Sequence, residues 1–236
     1  MIFIPSLLFL LPYQLPGETH IYFIAVATSL FAATFSSGGA FVNHFRAKNI
    51  CMRKALFFLS GSLISAVFLP QFMNKIDPTI PKLILLFVLI VSTLKLFFQK
   101  ENVERKILLH SDYFLPFIGL LVGAIAVSSG IGGGVIVVPV LILVYGLEIN
   151  KAIGTSITVV LITLFVISIS YALSSNGHGN GSIGYLNFYA GIPLGIGAVV
   201  GSRIGKYFMN KLSSSVIRKI FSLFLIIAIV KIILSL

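Results

Sequence analysis

The stretch Ser128-Ser129-Gly130-Ile131-Gly132-Gly133-Gly134-Val135, followed by Pro139, decides how this chain is read. It lies inside an apolar run, Tyr113 to Leu147, that contains no Asp, Glu, Lys or Arg. Glycines packed this densely make a poor helix interior, each costing about 1 kcal/mol relative to alanine. The spacing predicts a helix that stops near Ser129 and another that starts near Val135. Broken backbone at membrane depth is tolerated only where protein or a water-filled cavity satisfies it. A restarted helix presents N–H groups and the positive end of its dipole, which suits an anion. The competing reading is a glycine-lined contact, since small residues let membrane helices approach closely.

The chain around this stretch decides the class. Of its 236 residues, 58% are hydrophobic and only 10% charged, and the mean hydropathy is +1.08. Soluble domains carry about 25% charged residues, so the composition is that of a polytopic membrane protein. Apolar runs of spanning length are expected at Ile21–Phe41, Ala55–Phe72, Lys82–Phe98 and Ile220–Leu236. Two more are expected within the acid- and base-free run Ala152–Ser202, and Tyr113–Ser129 and Val135–Tyr145 flank the glycines. Met1–Leu11 is apolar but too short to cross, and Pro12 and Pro16 are expected to end it. The net charge of +11 would suggest nucleic acid in a soluble protein. Here the basic residues lie in short loops, expected at Asn43–Lys54 and Arg203–Lys219, and set orientation instead. The single cysteine, Cys51, excludes an internal disulfide.

An internal repeat organises the whole. Pro5 followed by Thr28-Ser29 matches Pro139 followed by Gly154-Thr155-Ser156, each then leading through the same order of spans. The first-half counterpart of the glycine break would fall before Met1, so about 25–30 further residues patterned on 113–134 are expected upstream. The chain resembles the sulfite exporter TauE/SafE family, also called the toluene-sulfonate uptake permease family. The resemblance rests on Gly130-Ile131-Gly132-Gly133-Gly134 with Pro139, on Gly154-Thr155-Ser156, and on the Gly191/Gly195/Gly197/Gly201 run ending in Arg203. It implies a secondary transporter of sulfite, a sulfonate or a related small anion.

All but three of the 17 Lys and Arg fall on one side when the basic loop after the first span faces the cytoplasm; the exceptions are Lys75, Lys82 and Lys231. That bias fixes the orientation and makes the Thr28-Ser29 span run inward and the Thr155-Ser156 span outward. The expected fold is therefore all-α: a helical multi-pass protein of the cell inner membrane, built from two inverted repeats with a glycine-broken helix pair. Residues 1–98 form the first repeat, 99–112 a cytoplasmic linker and 113–236 the second repeat. Such repeats place a midplane site between broken helices.

The chemistry is sparse. All six acids sit at turns or span ends, so no carboxylate pair, metal cluster, cofactor site or activated nucleophile can be assembled within the spans. The expected substrate-binding residues are Ser129, Gly130, Gly132, Gly133, Gly134, Val135 and Pro139 around the break, with Thr155, Ser156, Thr28 and Ser29 as hydroxyls on the path. Ser128 and Ser129 read equally as hydroxyls bonded back to their own helix, Thr155 and Ser156 as caps at the start of a span, and the span carrying Gly197 as packing. Without an acid on the path, coupling to protons has no visible carrier. An inside-negative potential favours anion efflux by about 2.3 kcal/mol per charge per 100 mV. The expected partners are a small anionic substrate and the lipid bilayer, with no nucleic acid. A homo-oligomer and a non-transporting membrane subunit or scaffold stay open.

The orientation is testable on a Cys51→Ser background. Ser175→Cys should react with an impermeant thiol reagent applied to intact cells, and Ser214→Cys only after the membrane is opened. The reverse pattern means an inverted topology.

Overall fold

The computed structural model describes residues 3–14, 20–77, 79–80, 83–84, 86–87, 90, 111–130, 132–174, 182–209, 226, 229–230 and 233. The spans expected at 82–98 and 220–236, the 99–112 linker and the glycine-rich turn at 175–181 lie largely or wholly outside the described residues. The elements are α1 (Phe3–Gln14), α2 (Ile21–Arg46), α3 (Met52–Phe72), α4 (Leu115–Ser129), α5 (Gly134–Leu143), α6 (Ile149–Leu173) and α7 (Phe188–Met209). A short hairpin of β1 (Ser182–Ile183) and β2 (Leu186–Asn187) precedes α7. Among the described residues, four helices are long and apolar enough to cross a membrane. Large side chains such as Phe68, Phe117 and Phe165 stand exposed on them, as lipid-facing residues of a multi-pass protein do.

Several expected ends move. The first span continues through His44 and Arg46, so the loop before α3 is only 47–51. Arg203 belongs to α7, which runs on to Met209, and its side chain is outside the described set. α1 continues past Pro12 to Gln14. Apolar runs mark the bilayer, whereas helices end where backbone hydrogen bonds stop, and basic residues at a helix end keep their heads in water.

α6 lies at the centre. It runs antiparallel to α2: Gly154, near its start, faces Asn49 and the Cβ of His44 just beyond and at the end of α2. Tyr171, near its end, packs on Tyr185, which in turn packs on Phe23 at the start of α2. One core gathers α1, α2, the second half of α6 and the hairpin around Leu7, Ile24, Tyr171 and Tyr185. The other gathers α3, α4, α5 and the first half of α6 around Phe58, Val122, Val137 and Val159. The many hydroxyls of α6 are tolerated in these cores because they bond back to their own helix, as Thr158 does to the Gly154 carbonyl and Ser168 to the Leu164 carbonyl.

α3 and α4 approach through glycine. A Cβ on Gly61 would collide with the Pro116 carbonyl, one on Gly119 with the Phe58 carbonyl, and one on Gly123 would lie 2.8 Å from the Ser62 carbonyl. Gly119 and Gly123 form a GxxxG step, which brings backbones together in a bilayer where burial of apolar surface offers no drive. Ser65 adds a hydroxyl bond of 2.7 Å to the Leu120 carbonyl. The base of this pair is ionic: Arg53 and Lys54 bind Asp112, and the Lys54 ammonium sits 4.5 Å over the Tyr145 ring. Burial and then the Asp112 charge push the Tyr145 phenol up, keeping it a donor to the Ser111 carbonyl at 3.3 Å. Residues just before α4 and just after α5 thus meet at Lys54, so the two helices form a hairpin whose ends lie together.

Gly61→Val and Gly119→Val should each cost at least about 1–3 kcal/mol through overpacking, read as a lower melting temperature of detergent-purified protein. Gly197→Ala should be neutral, because a Cβ there meets nothing within 4 Å. The packing role expected for the α7 glycines belongs instead to Gly191 and Gly195, which face Phe31 and Phe35.

Candidate functional site

α4 stops at Ser129 because Gly130 turns left-handed, with φ +66°, and its N–H closes on the Ala126 carbonyl at 2.9 Å. Gly132 and Gly133 follow at φ +81° and +70°, and α5 starts at Gly134. L side chains rarely adopt this region, which is why the run is glycine.

A helix that ends in the dry interior leaves carbonyls without donors. Two tyrosines from neighbouring helices supply them. The Tyr22 hydroxyl of α2 donates to the Ser128 carbonyl and the Tyr171 hydroxyl of α6 to the Val127 carbonyl, both at 2.9 Å. The Ser29 hydroxyl lies 2.8 Å from the Val26 carbonyl and 3.4 Å from that of Gly130. Neither tyrosine stood out in the sequence. The available signal was a phenol within an apolar span, since a buried phenol seeks an acceptor.

The structure sorts the expected site residues. Ser29 and Ile4 sit against Gly130, and Ser156 lies beside Gly134, where an added Cβ would be 3.8 Å from its hydroxyl. Ser128 bonds back to the Ala124 carbonyl at 2.8 Å and Ser129 to the Ile125 carbonyl at 2.5 Å. Thr28 and Thr155 turn to other partners: Thr28 accepts the Asn187 N–H at 3.1 Å and Thr155 the Cys51 N–H at 2.9 Å. The expectation that Thr155 and Ser156 cap a span is corrected. α6 begins at Ile149, and the Thr155 hydroxyl, well inside it, bonds to the Lys151 carbonyl at 2.6 Å. Pro139 lies within α5, half-buried, and removes the N–H that would reach the Val135 carbonyl. The Val135 side chain is outside the described set.

At the start of α5, the Gly134 N–H donates to the Gly132 carbonyl at 2.9 Å, and the Gly133 carbonyl accepts from Ile136 and Val137. Beside this turn is a cavity of about 10 Å³ lined by Gly132, Gly133, Val122, Val160 and the hydroxyl pair Ser62–Thr163, whose oxygens are 2.9 Å apart. That is room for one water. None of the lining residues is ionisable. Among the described residues no cluster of His, Cys, Asp or Glu is placed to hold a metal.

Tyr22→Phe and Tyr171→Phe each strand a buried carbonyl and should cost about 1–3 kcal/mol. The readout is the thermal midpoint in detergent, with Tyr189→Phe on the exposed face as the unaffected reference.

The chain matches the family model described as "Sulfite exporter TauE/SafE" over residues 1–232. It is 27% identical over 234 residues to a probable membrane transporter protein of Haemophilus influenzae, covering 96% of this chain and 87% of that protein. It is 28% identical over 198 residues to a probable membrane transporter protein of Methanocaldococcus jannaschii, covering 82% of this chain and 73% of that one. No solved structure matches it. With a match from end to end and a fold of apolar spans around a glycine turn, the chain belongs to the sulfite exporter TauE/SafE family of membrane transporters.

Proposed function

We propose that this transporter carries a small oxyanion, of the sulfite or sulfonate class, outward across the cell inner membrane, and that the anion binds at the start of α5. The observation that carries the reading is the start of a helix at Gly134, inside the protein, directly after the left-handed glycines Gly132 and Gly133. The family description supports the substrate class. Among the described residues no Lys or Arg lines the cavity beside the turn, so backbone N–H groups and the dipole of α5 do the recognising. Ser129 and Thr155 already spend their hydroxyls on carbonyls of their own helices. The anion therefore takes the Gly134 N–H from the Gly132 carbonyl, and the cavity, now the size of one water, widens as it enters. Recognition without a full counter-charge gives weak binding and ready release, and the membrane potential drives the anion outward.

The two halves, 1–98 and 113–236, are inverted repeats in this reading. The antiparallel run of α2 and α6 supports it, with Thr28-Ser29 on one and Thr155-Ser156 on the other. The site then lies between the halves.

Gly133→Val should abolish sulfite flux in proteoliposomes. Its Cβ would lie 2.8 Å from Val122, and a β-branched residue resists the left-handed turn. Gly197→Ala should transport normally. Flux is normalised to inserted protein. Normal flux through Gly133→Val would make the turn a packing feature, and absence of flux in the parent protein for every oxyanion tried would favour a scaffold.

A further inference from the structure

Thr28 and Thr155 turn away from the glycine run and make the same contact at opposite ends of the molecule. Thr28 lies seven residues into α2, counting from Ile21, and Thr155 six into α6, counting from Ile149. Each hydroxyl accepts the N–H of the residue just before another helix: Asn187 before α7 and Cys51 before α3. Both of those residues hold capping positions. Asn187 accepts the Ala190 N–H at 3.0 Å, and Cys51 is the N-cap of α3.

The exchange is reciprocal. α3 follows α2 but is held by the threonine of α6; α7 follows α6 but is held by the threonine of α2. Because α2 and α6 run antiparallel, the two contacts fall near opposite membrane faces. Along α6, Thr155 and Tyr171, which packs on Tyr185 beside Asn187, are separated by about 24 Å at 1.5 Å per residue. Neighbouring contacts seal each one. Gly154 admits the Asn49 carbonyl beside the first, and the Tyr185 ring meets His20, Phe23 and Tyr171 beside the second. The glycine turn lies between them, with Gly130, Gly132 and Gly133 buried and a cavity the size of one water beside it.

We infer that Thr28–Asn187 and Thr155–Cys51 are the two gate latches of the transporter, one for each face. Opening one frees the start of α7, and opening the other frees the 47–51 turn ahead of the Arg53 and Lys54 pairs with Asp112; each admits water to the glycine turn from its own face alone. A transport cycle opens them in alternation. This rests on the transporter reading, but labelling tests it without any substrate.

The reporter is Ser129→Cys, fully buried at the turn, on a Cys51→Ser background that keeps the backbone N–H. Sealed right-side-out and inside-out membrane vesicles are treated with an impermeant methanethiosulfonate. The parent should react slowly from both faces. Thr28→Val, which keeps shape and removes the acceptor, should speed labelling about tenfold from one face only, the shift expected from losing one hydrogen bond. Thr155→Val should do the same from the opposite face only, and the Thr→Ser versions should restore protection. Cys51→Pro in place of Cys51→Ser removes the same N–H from the donor side, at a backbone φ of −89° near the proline range. It should reproduce Thr155→Val even where the valine variant inserts poorly. Exposure from the same face in both variants, from both faces at once, or from neither face in inserted protein overturns the latches. Absence of sulfite flux with face-specific labelling would instead discard the substrate and keep the gates.

Discussion

The structure depends on two phenol hydroxyls reaching the carbonyl end of a helix that stops inside the protein. Tyr22 and Tyr171 approach the Ser128 and Val127 carbonyls from separate helices. Without them, the end of α4 would present unpaired acceptors in a region water does not reach, where each costs about 1–3 kcal/mol. A continuous helix would need neither tyrosine. Once α4 ends at Gly130, α2 and α6 must both stand beside that end, and both must be oriented so that their tyrosines meet it. The antiparallel α2–α6 pair and the position of the glycine turn are thus one constraint.

The α4–α5 hairpin is held differently at its two ends. At the base, Asp112 takes Arg53 and Lys54, and Lys54 also covers Tyr145. Along its length, Gly61, Gly119 and Gly123 bring α3 and α4 together closely enough to leave no room for a side chain. At the tip, the contacts are the Tyr22 and Tyr171 hydrogen bonds and small side chains: Ser29 near Gly130, Ser156 near Gly134, Ser62 with Thr163. The tip carries the glycine run.

Much of this was legible in the sequence, for physical reasons. Charge-free runs mark where the bilayer excludes water, so the spans that became α2, α3, α4 and α6 could be placed to within about five residues. Four glycines within five positions mark a stop, because helix propensity there is at its poorest short of proline. What was not legible follows from the same physics. Hydropathy does not report where backbone bonding ends, so α2 overran its expected end by carrying His44 and Arg46 into water. A hydroxyl looks alike whether it caps a helix or holds a neighbouring loop, so Thr155 reads as a cap although it lies inside α6 and accepts the Cys51 N–H. The tyrosines were silent because a phenol in an apolar span is equally at home as packing. Gly119 and Gly123 carried a contact signal at GxxxG spacing, overshadowed by the denser run that follows them.

The strengths of these contacts match the places where they occur. A transporter must hold two closed arrangements close enough in free energy for a weakly bound ion to move it between them. A buried ion pair is a poor device for that, since separating it strands a charge at a cost of about 3–5 kcal/mol. A neutral hydrogen bond contributes only about 0.5–1.5 kcal/mol net. The chain keeps its resolved ion pairs at the base of the hairpin, around Asp112. Around the turn and at the Thr28–Asn187 and Thr155–Cys51 contacts it uses Ser, Thr, Asn and backbone. Among the described residues the cavity beside the turn has no Lys or Arg in its lining, which follows the same rule. On the proposed reading, a fixed cation there would bind an oxyanion tightly and have to give it up to water at full desolvation cost, whereas backbone dipoles would give up less on release.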